Sequence, residues 1–306
     1  MANGPVVKVE ALRKTYGDTI AVDGVSFEVA RGEIFGMVGP NGAGKTTTIE
    51  CIEGMRRPDG GSVTVLGIDP QRDGNELRPR IGAQLQTSAL PERIRVWEAL
   101  DLFASFYQRS VDWNVLLERL GLAEKRNAFF SKLSGGQKQR LFIGLALIND
   151  PEVVFLDELT TGLDPQARHA IWDLVRDMRD SGKTVFLTTH FMEEAERLCD
   201  RVAILEHGRL VALDTPANLI QSIGAETRIA FTVDGKPDLS WLENLPTVTG
   251  VDATEDRYVV RGPSDRVIVD VVNALSVKGI RFRDLRTEQP TLEDVFLKVT
   301  GRQMRD

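Results

Sequence analysis

The chain has 306 residues, 42% of them hydrophobic and 27% charged, with a formal net charge of −7. That length allows one large domain or two, and the composition is that of a soluble globular protein able to bury a substantial core. The acidic balance speaks against broad binding to nucleic acid backbones, which favour basic faces.

From the N-terminus, MANGPVVKVEAL lacks the basic start and apolar core of a secretory signal. The longest apolar run, LFIGLALI from Leu141 to Ile148, falls short of the ~18 residues a membrane span needs. Any membrane this chain serves is therefore expected to be spanned by another chain. The two cysteines, Cys51 and Cys199, sit among apolar residues and read as buried thiols, with no disulfide framework.

Up to about Ile223, short apolar runs rich in β-branched residues alternate with helical patterns. VVKVEAL, VSFEV, IFGMVG, VVFLD, TVFLTT and RVAIL read as buried strands. Between them, stripes such as Ala167, Ile171, Leu174, Val175 and Met178 follow helical spacing. So do Leu100, Phe103, Ala104 and Tyr107, and Trp113, Leu116, Leu117 and Leu120. Such alternation predicts an α/β fold with a mostly parallel sheet and helices on both faces. From about 87 to 150 the strands stop, which predicts a helical insertion.

GPNGAGKTT, Gly39 to Thr47, follows the strand IFGMV and opens a helix, the setting a phosphate-binding loop requires. Gly39, Gly42 and Gly44 let the backbone turn tightly, so that successive N–H groups face one concavity at a helix N-terminus. Gly39, Pro40, Asn41, Gly42, Ala43, Gly44, Lys45, Thr46 and Thr47 form the expected nucleotide-binding set. Lys45 is placed to reach the terminal phosphates of ATP, and Thr46 to bind Mg²⁺. VVFLDE then ends an apolar strand in two carboxylates. Asp157 is expected to hold Mg²⁺, directly or through water. Glu158, pointing elsewhere because side chains alternate, is expected to accept a proton from the attacking water. His190 follows the strand TVFLTT and should meet Glu158 at the same sheet edge, donating to the γ-phosphate and orienting the carboxylate. His169 and His207 lack such placement and read as surface residues.

LSGGQKQR, Leu133 to Arg140, opens a helix with Ser134 suited to capping and two glycines baring backbone N–H groups, a second anion-binding site. It resembles the signature sequence of ABC ATPases. The resemblance, over Val6 to about Ile223, implies a P-loop ABC ATPase core of residues 1–223. It also implies a homodimer formed on ATP binding, packed head to tail. Each ATP is then sandwiched between one P-loop and the other copy's Ser134, Gly135, Gly136 and Gln137. By the same resemblance Tyr16 stacks on adenine, and Gln86 links Mg²⁺ and water to the membrane subunit, with Gln84 as the nearby alternative. TTGLD, Thr160 to Asp164, touches the opposite copy. One position departs from the family: Leu159 stands where proline usually follows the catalytic Glu, which predicts a looser turn. No NKxD-type guanine-reading sequence occurs, and Tyr16 suits unspecific adenine stacking, so ATP rather than GTP is the expected nucleotide.

After Gly224 the pattern changes. RIAFTVD alternates, RYVVRG is strand-like, and Ile268, Val271, Val272 and Leu275, then Leu292, Val295, Phe296 and Val299, suit helices. A small α+β domain of residues 224–306 is expected. Its ending, PTLEDVFLKVTGR, resembles that of drug-export ATPases such as those for daunorubicin resistance, mostly bacterial. This implies a motor subunit exporting drugs or other amphipathic compounds. It would be held peripherally at the cytoplasmic face of the cell membrane by a separate polytopic permease. An importer motor and a non-transport ABC ATPase are the alternatives.

Overall fold

The computed structural model describes residues 4–85, 89–224, 227–235, 237–254, 256–288 and 290–301. The strands are β1 Val7–Tyr16, β2 Thr19–Val29, β3 Ile34–Val38, β4 Gly60–Val65, β5 Ile81–Gln84, β6 Val153–Asp157, β7 Thr184–Thr189, β8 Arg201–Glu206, β9 Arg209–Asp214, β10 Thr227–Val233, β11 Gly250–Thr254, β12 Arg257–Gly262 and β13 Phe282–Glu288. The α-helices are α1 Lys45–Ile52, α2 Gly74–Leu77, α3 Val96–Ala104, α4 Trp113–Arg119, α5 Gly135–Leu147, α6 Pro165–Asp180, α7 Met192–Leu198, α8 Pro216–Ser222, α9 Arg266–Val277 and α10 Leu292–Thr300. The chain divides into two compact units, between Pro216 and Ala217.

In the first unit a six-stranded sheet runs β5-β6-β7-β3-β8-β9. All its pairs are parallel except β8 with β9. Every residue of β3, β6 and β7 is buried, which explains their unbroken apolar runs: both faces of these strands are covered. Phe27, Phe35, Phe155 and Phe186 pack their rings against one another in this core, with centroids 5.2–5.9 Å apart. VVKVEAL and VSFEV do not join that sheet. They form a separate antiparallel sheet of order β2-β1-β4, with one face buried and the other wet.

Residues 89–150 carry α3, α4 and α5. Leu100, Leu116, Leu117 and Leu120 are buried there, while Phe103, Ala104, Tyr107 and Trp113 are half-buried. In α6 the buried stripe is Ile171, Trp172, Val175 and Met178, so Trp172 replaces the expected Ala167 and Leu174 as a core residue. Cys51 and Cys199 are buried and free.

The second unit builds a four-stranded antiparallel sheet, β11-β12-β10-β13. Val267, Val271 and Leu275 of α9 pack with Ile229, Phe231, Tyr258 and Val260 in its core. The stripe in α10 stops at Phe296: Val299 is 44% exposed, and the helix ends one residue later at Thr300, capped by Gly301 in the left-handed conformation.

Candidate functional site

The parallel register sets the site. Val38 pairs with Thr189, and Asp157 with Thr188, so the chain leaves β3, β6 and β7 at one edge. The Gly39–Gly44 loop, Glu158 and His190 follow directly from those strand ends. Ligands bind at this carboxyl edge in open α/β sheets.

The loop is tightly packed. A Cβ on Gly39 would lie 2.3 Å from the Leu205 carbonyl oxygen, and one on Gly44, at φ +101°, 2.3 Å from that of Ala21. Only glycine fits there. Gly42 also has positive φ, but its Cβ direction is open. The turn between β8 and β9 braces the loop: Gly208 N donates to Ala43 O at 3.1 Å, and Asp23 N donates to Gly208 O at 2.8 Å. Ala21 and Gly208 carry no side-chain signal in the sequence, since both act through backbone atoms.

Lys45, at the start of α1, is buried. Its ammonium donates to the carbonyls of Gly39 (2.9 Å) and Pro40 (3.1 Å) and lies 3.4 Å from Glu158 Oε1. Burial lowers its pKa, and Glu158 and Asp157 oppose that fall. Asp157 is also buried, and burial raises its pKa against hydrogen bonds from Thr188 and Thr46. The Thr46 hydroxyl stands 3.5 Å from Asp157 Oδ1. These paired oxygens at a loop of convergent N–H groups are the hard donor set a Mg²⁺ ion takes. A cation there would also hold the buried Asp157 ionised.

Glu158 has φ +49°, a left-handed conformation that non-glycine residues rarely adopt and that clusters at functional sites. Its amide donates to the carbonyl and hydroxyl oxygens of Thr188, both at 3.1 Å. Its carboxylate accepts from Thr161 at 3.5 Å, and His190 Nδ1 lies 3.5 Å from its Oε2 without a hydrogen bond. Thr188 thus holds the Asp157 carboxylate and the Glu158 backbone, a role no motif in the sequence signals. Leu159 is buried, so packing anchors the turn expected to be loose.

The other expected residues stand as follows. Ser134 caps α5: its Oγ accepts from Gln137 N at 3.3 Å, and Gln137 Oε1 accepts from Ser134 N at 3.0 Å. Gly135 faces Leu163, and a Cβ on Gly136 would meet that of Ala167 at 2.8 Å, so this glycine also lets α6 approach α5. Asp164 caps α6, accepting from Ala167 N at 2.9 Å. Tyr16 is 41% exposed, with the Arg56 guanidinium 5.2 Å and the Lys14 ammonium 5.7 Å from its ring centre. Its hairpin touches the loop through Ala21. Gln86 lies outside the described residues. Gln84 is buried, and its Nε2 donates to Leu85 O at 2.6 Å. His169 and His207 are exposed.

A glycine loop, a buried lysine and two carboxylates at the carboxyl edge of a parallel sheet define a P-loop nucleotide-binding cassette. Residues 22–161 match the ABC transporter family, and residues 221–300 match the family described as ATP-binding protein DrrA1-3-like, C-terminal domain. The chain is 40% identical to Nod factor export ATP-binding protein I of Ralstonia nicotianae, over 99% of this chain and 96% of that protein. It is 39% identical to daunorubicin resistance ATP-binding protein DrrA3 of Streptomyces coeruleorubidus, over 96% of each. Among solved structures, an ATP-binding subunit of an ABC transporter superposes with a TM-score of 0.64 at 30% identity, covering 71% of this chain and 93% of that one. A dimeric cassette in a post-hydrolysis state, bound to ADP and Pi, superposes with a TM-score of 0.62 at 28% identity, covering 68% and 98%. The chain belongs to the ATP-binding subunits of ABC transporters, a family of ATPases. Among the described residues no helix is long and apolar enough to cross a membrane.

Proposed function

We propose that this chain is the ATP-hydrolysing motor of an ABC exporter whose membrane-spanning permease is a separate chain. The observation that carries the reading is the convergence of Lys45, Asp157, Glu158 and His190 beside the glycine loop at one sheet edge. Export, of drugs or other amphipathic compounds, is supported by relatives named for Nod factor export and daunorubicin resistance, matched over nearly their whole length.

In this reading residues 39–47 hold the phosphates of ATP, with Tyr16 against adenine. Thr46 and Asp157, with Gln86, hold Mg²⁺, which supplies neutralising charge to the phosphate oxygens. Glu158 accepts the proton of the attacking water, and His190 orients it. Two copies close head to tail, each presenting Ser134, Gly135, Gly136, Gln137 and Asp164 to the other's nucleotide. The solved dimeric relative supports that assembly. Residues 1–223 act as the nucleotide-binding domain, with the helical part about 87–150, and 224–306 as an accessory domain. The whole sits peripherally at the cytoplasmic face of a bacterial membrane, through the permease.

Glu158→Gln tests the assignment. The variant is expected to bind ATP and remain dimeric with it, while turnover falls at least about 100-fold, the usual contribution of general base catalysis. Turnover near that of the unaltered protein would remove Glu158 from the role.

A further inference from the structure

Tyr16 closes β1 where that strand has lost one of its neighbours. β1 pairs with β4 as far as Arg13 opposite Gly60, and the same register carried on would set Pro58 opposite Thr15. Proline has no N–H to give to a ladder. The Asp59 side chain takes that partner's place. Its Oδ2 accepts from the Thr15 amide and the Thr15 hydroxyl, both at 2.7 Å, and its Oδ1 accepts from the Lys14 ammonium at 2.8 Å. Its own amide donates to the Arg13 carbonyl at 2.8 Å. The Lys14 bond, followed by the two from Thr15, holds the Asp59 carboxyl well below the usual carboxylate range. A side chain, not a strand, thus pins the residues just before Tyr16.

The segment that carries Asp59 is tied at its other end to the helix of the phosphate loop. Past α1 the chain runs through Glu53, which is buried, and the Met55 and Arg56 amides both donate to the Glu50 carbonyl, at 2.9 and 3.0 Å. The Arg56 guanidinium pairs with the Glu50 carboxylate and stands 5.2 Å from the centre of the Tyr16 ring. The ring is still 41% exposed, which leaves area for a base.

We propose that Asp59 is a positioning residue for the nucleotide base: it fixes the backbone that presents Tyr16 and so registers the ring against α1, the helix that Lys45 begins. This deepens the proposed function and rests on it for the contact between Tyr16 and adenine. An exposed ion pair alone contributes little. Here the pair with Lys14 is joined by both Thr15 bonds, and all three fall on the two residues before the ring. A ring held in place before ATP arrives need not be ordered on binding, so the effect falls on affinity and not on the chemical step.

The test measures the Kd for MgATP by calorimetry, together with kcat, on the full chain and on its Tyr16→Ala, Asp59→Ala and doubly substituted variants. Each single variant is expected to weaken ATP binding about tenfold, the scale of one stacked base, with kcat at saturating ATP within about twofold. The double variant should bind no more weakly than Tyr16→Ala, because Asp59 acts through the ring. Asp59→Asn keeps an acceptor for Thr15 and should restore most of the affinity. Losses that multiply in the double variant, or an Asp59→Asn protein as weak as Asp59→Ala, overturn the inference. If Asp59→Ala fails to fold, Thr15→Val, which deletes one of the bonds, runs the same cycle with a smaller loss that Tyr16→Ala must mask. Unchanged affinity in Asp59→Ala beside a loss in Tyr16→Ala overturns this inference alone. Unchanged affinity in Tyr16→Ala removes the ring from the base site and overturns both the inference and the adenine contact on which it rests.

Discussion

At Thr188 one hydroxyl serves two carboxylate residues. It donates to Asp157 Oδ1 and accepts from the Glu158 amide at 3.1 Å. Thr188→Val preserves shape but removes the hydroxyl's bond to the buried Asp157 carboxyl, which keeps only the 3.5 Å contact with Thr46, while the Glu158 amide keeps the residue-188 carbonyl. It should cost about 1–3 kcal/mol in chemical denaturation, and the Mg²⁺ concentration for half-maximal ATP turnover should rise. Thr188→Ser should restore both; an unchanged Mg²⁺ requirement in the valine variant would deny Thr188 its positioning role. Glu53 makes a different prediction, in pH. Its folded pKa is raised from 4.5 to about 8, so between those values the folded protein holds a proton that the unfolded chain has released. Stability must then fall as pH rises through that window and level off above it, by on the order of 5 kcal/mol from this group. Asp157 and Glu194 are also raised and slope the same way. Subtracting the Glu53→Gln curve isolates Glu53, and parallel curves from pH 5 to 9 would refute its burial as a neutral acid.

Among the elements, the glycine loop separates two reasons for glycine. Gly42 needs only positive φ, whereas Gly44 needs positive φ and the absence of a Cβ beside Ala21. Gly42→Ala should therefore lower stability by about 1 kcal/mol, and Gly44→Ala by several times that, with loss of ATP binding. Equal melting temperatures for the two variants would count against the Ala21 contact. The motif itself was legible because its chemistry is local: glycines, Lys45 and Thr46 fall within one turn of chain. The strands β3, β6 and β7 were legible because full burial leaves an uninterrupted apolar run. β1 and β2 were misassigned to the parallel sheet. β2 pairs with β1 across the Gly17–Asp18 turn, and β1 pairs antiparallel with β4 some fifty residues on; nothing in the β1 run encodes that distant choice. Ala21 and Gly208 were invisible because their contacts are made by backbone atoms. Thr188 and Glu53 were passed over because a threonine in a β-strand and a glutamate at a helix end are ordinary in sequence; their burial is a property of the packed molecule.

For the whole molecule, the division at Pro216 has a testable consequence. The second unit has its own core, from Ile229 and Phe231 through Val271 and Leu275. Its last helix is fastened within the same unit: Arg228 bonds to Asp294 at 2.6 Å, Lys298 to the Ile223 carbonyl at 2.7 Å, and Thr291 caps the helix with Asp294. A segment of this size with one continuous core lies within the range of domains that fold alone, though with a stability of only a few kcal/mol. The fragment 217–303 should therefore unfold in a single cooperative transition and show the dispersed aromatic signals expected of stacked Phe231 and Tyr258, whose centroids lie 5.9 Å apart. The complementary fragment 1–216 retains the glycine loop, Asp157, Glu158 and His190, and should still bind ATP. A sloping melt from the first fragment would mean that its sheet depends on the rest of the chain. Loss of nucleotide binding by the second would mean that the boundary cuts into the ATPase core. Either result would move the functional boundary away from Pro216.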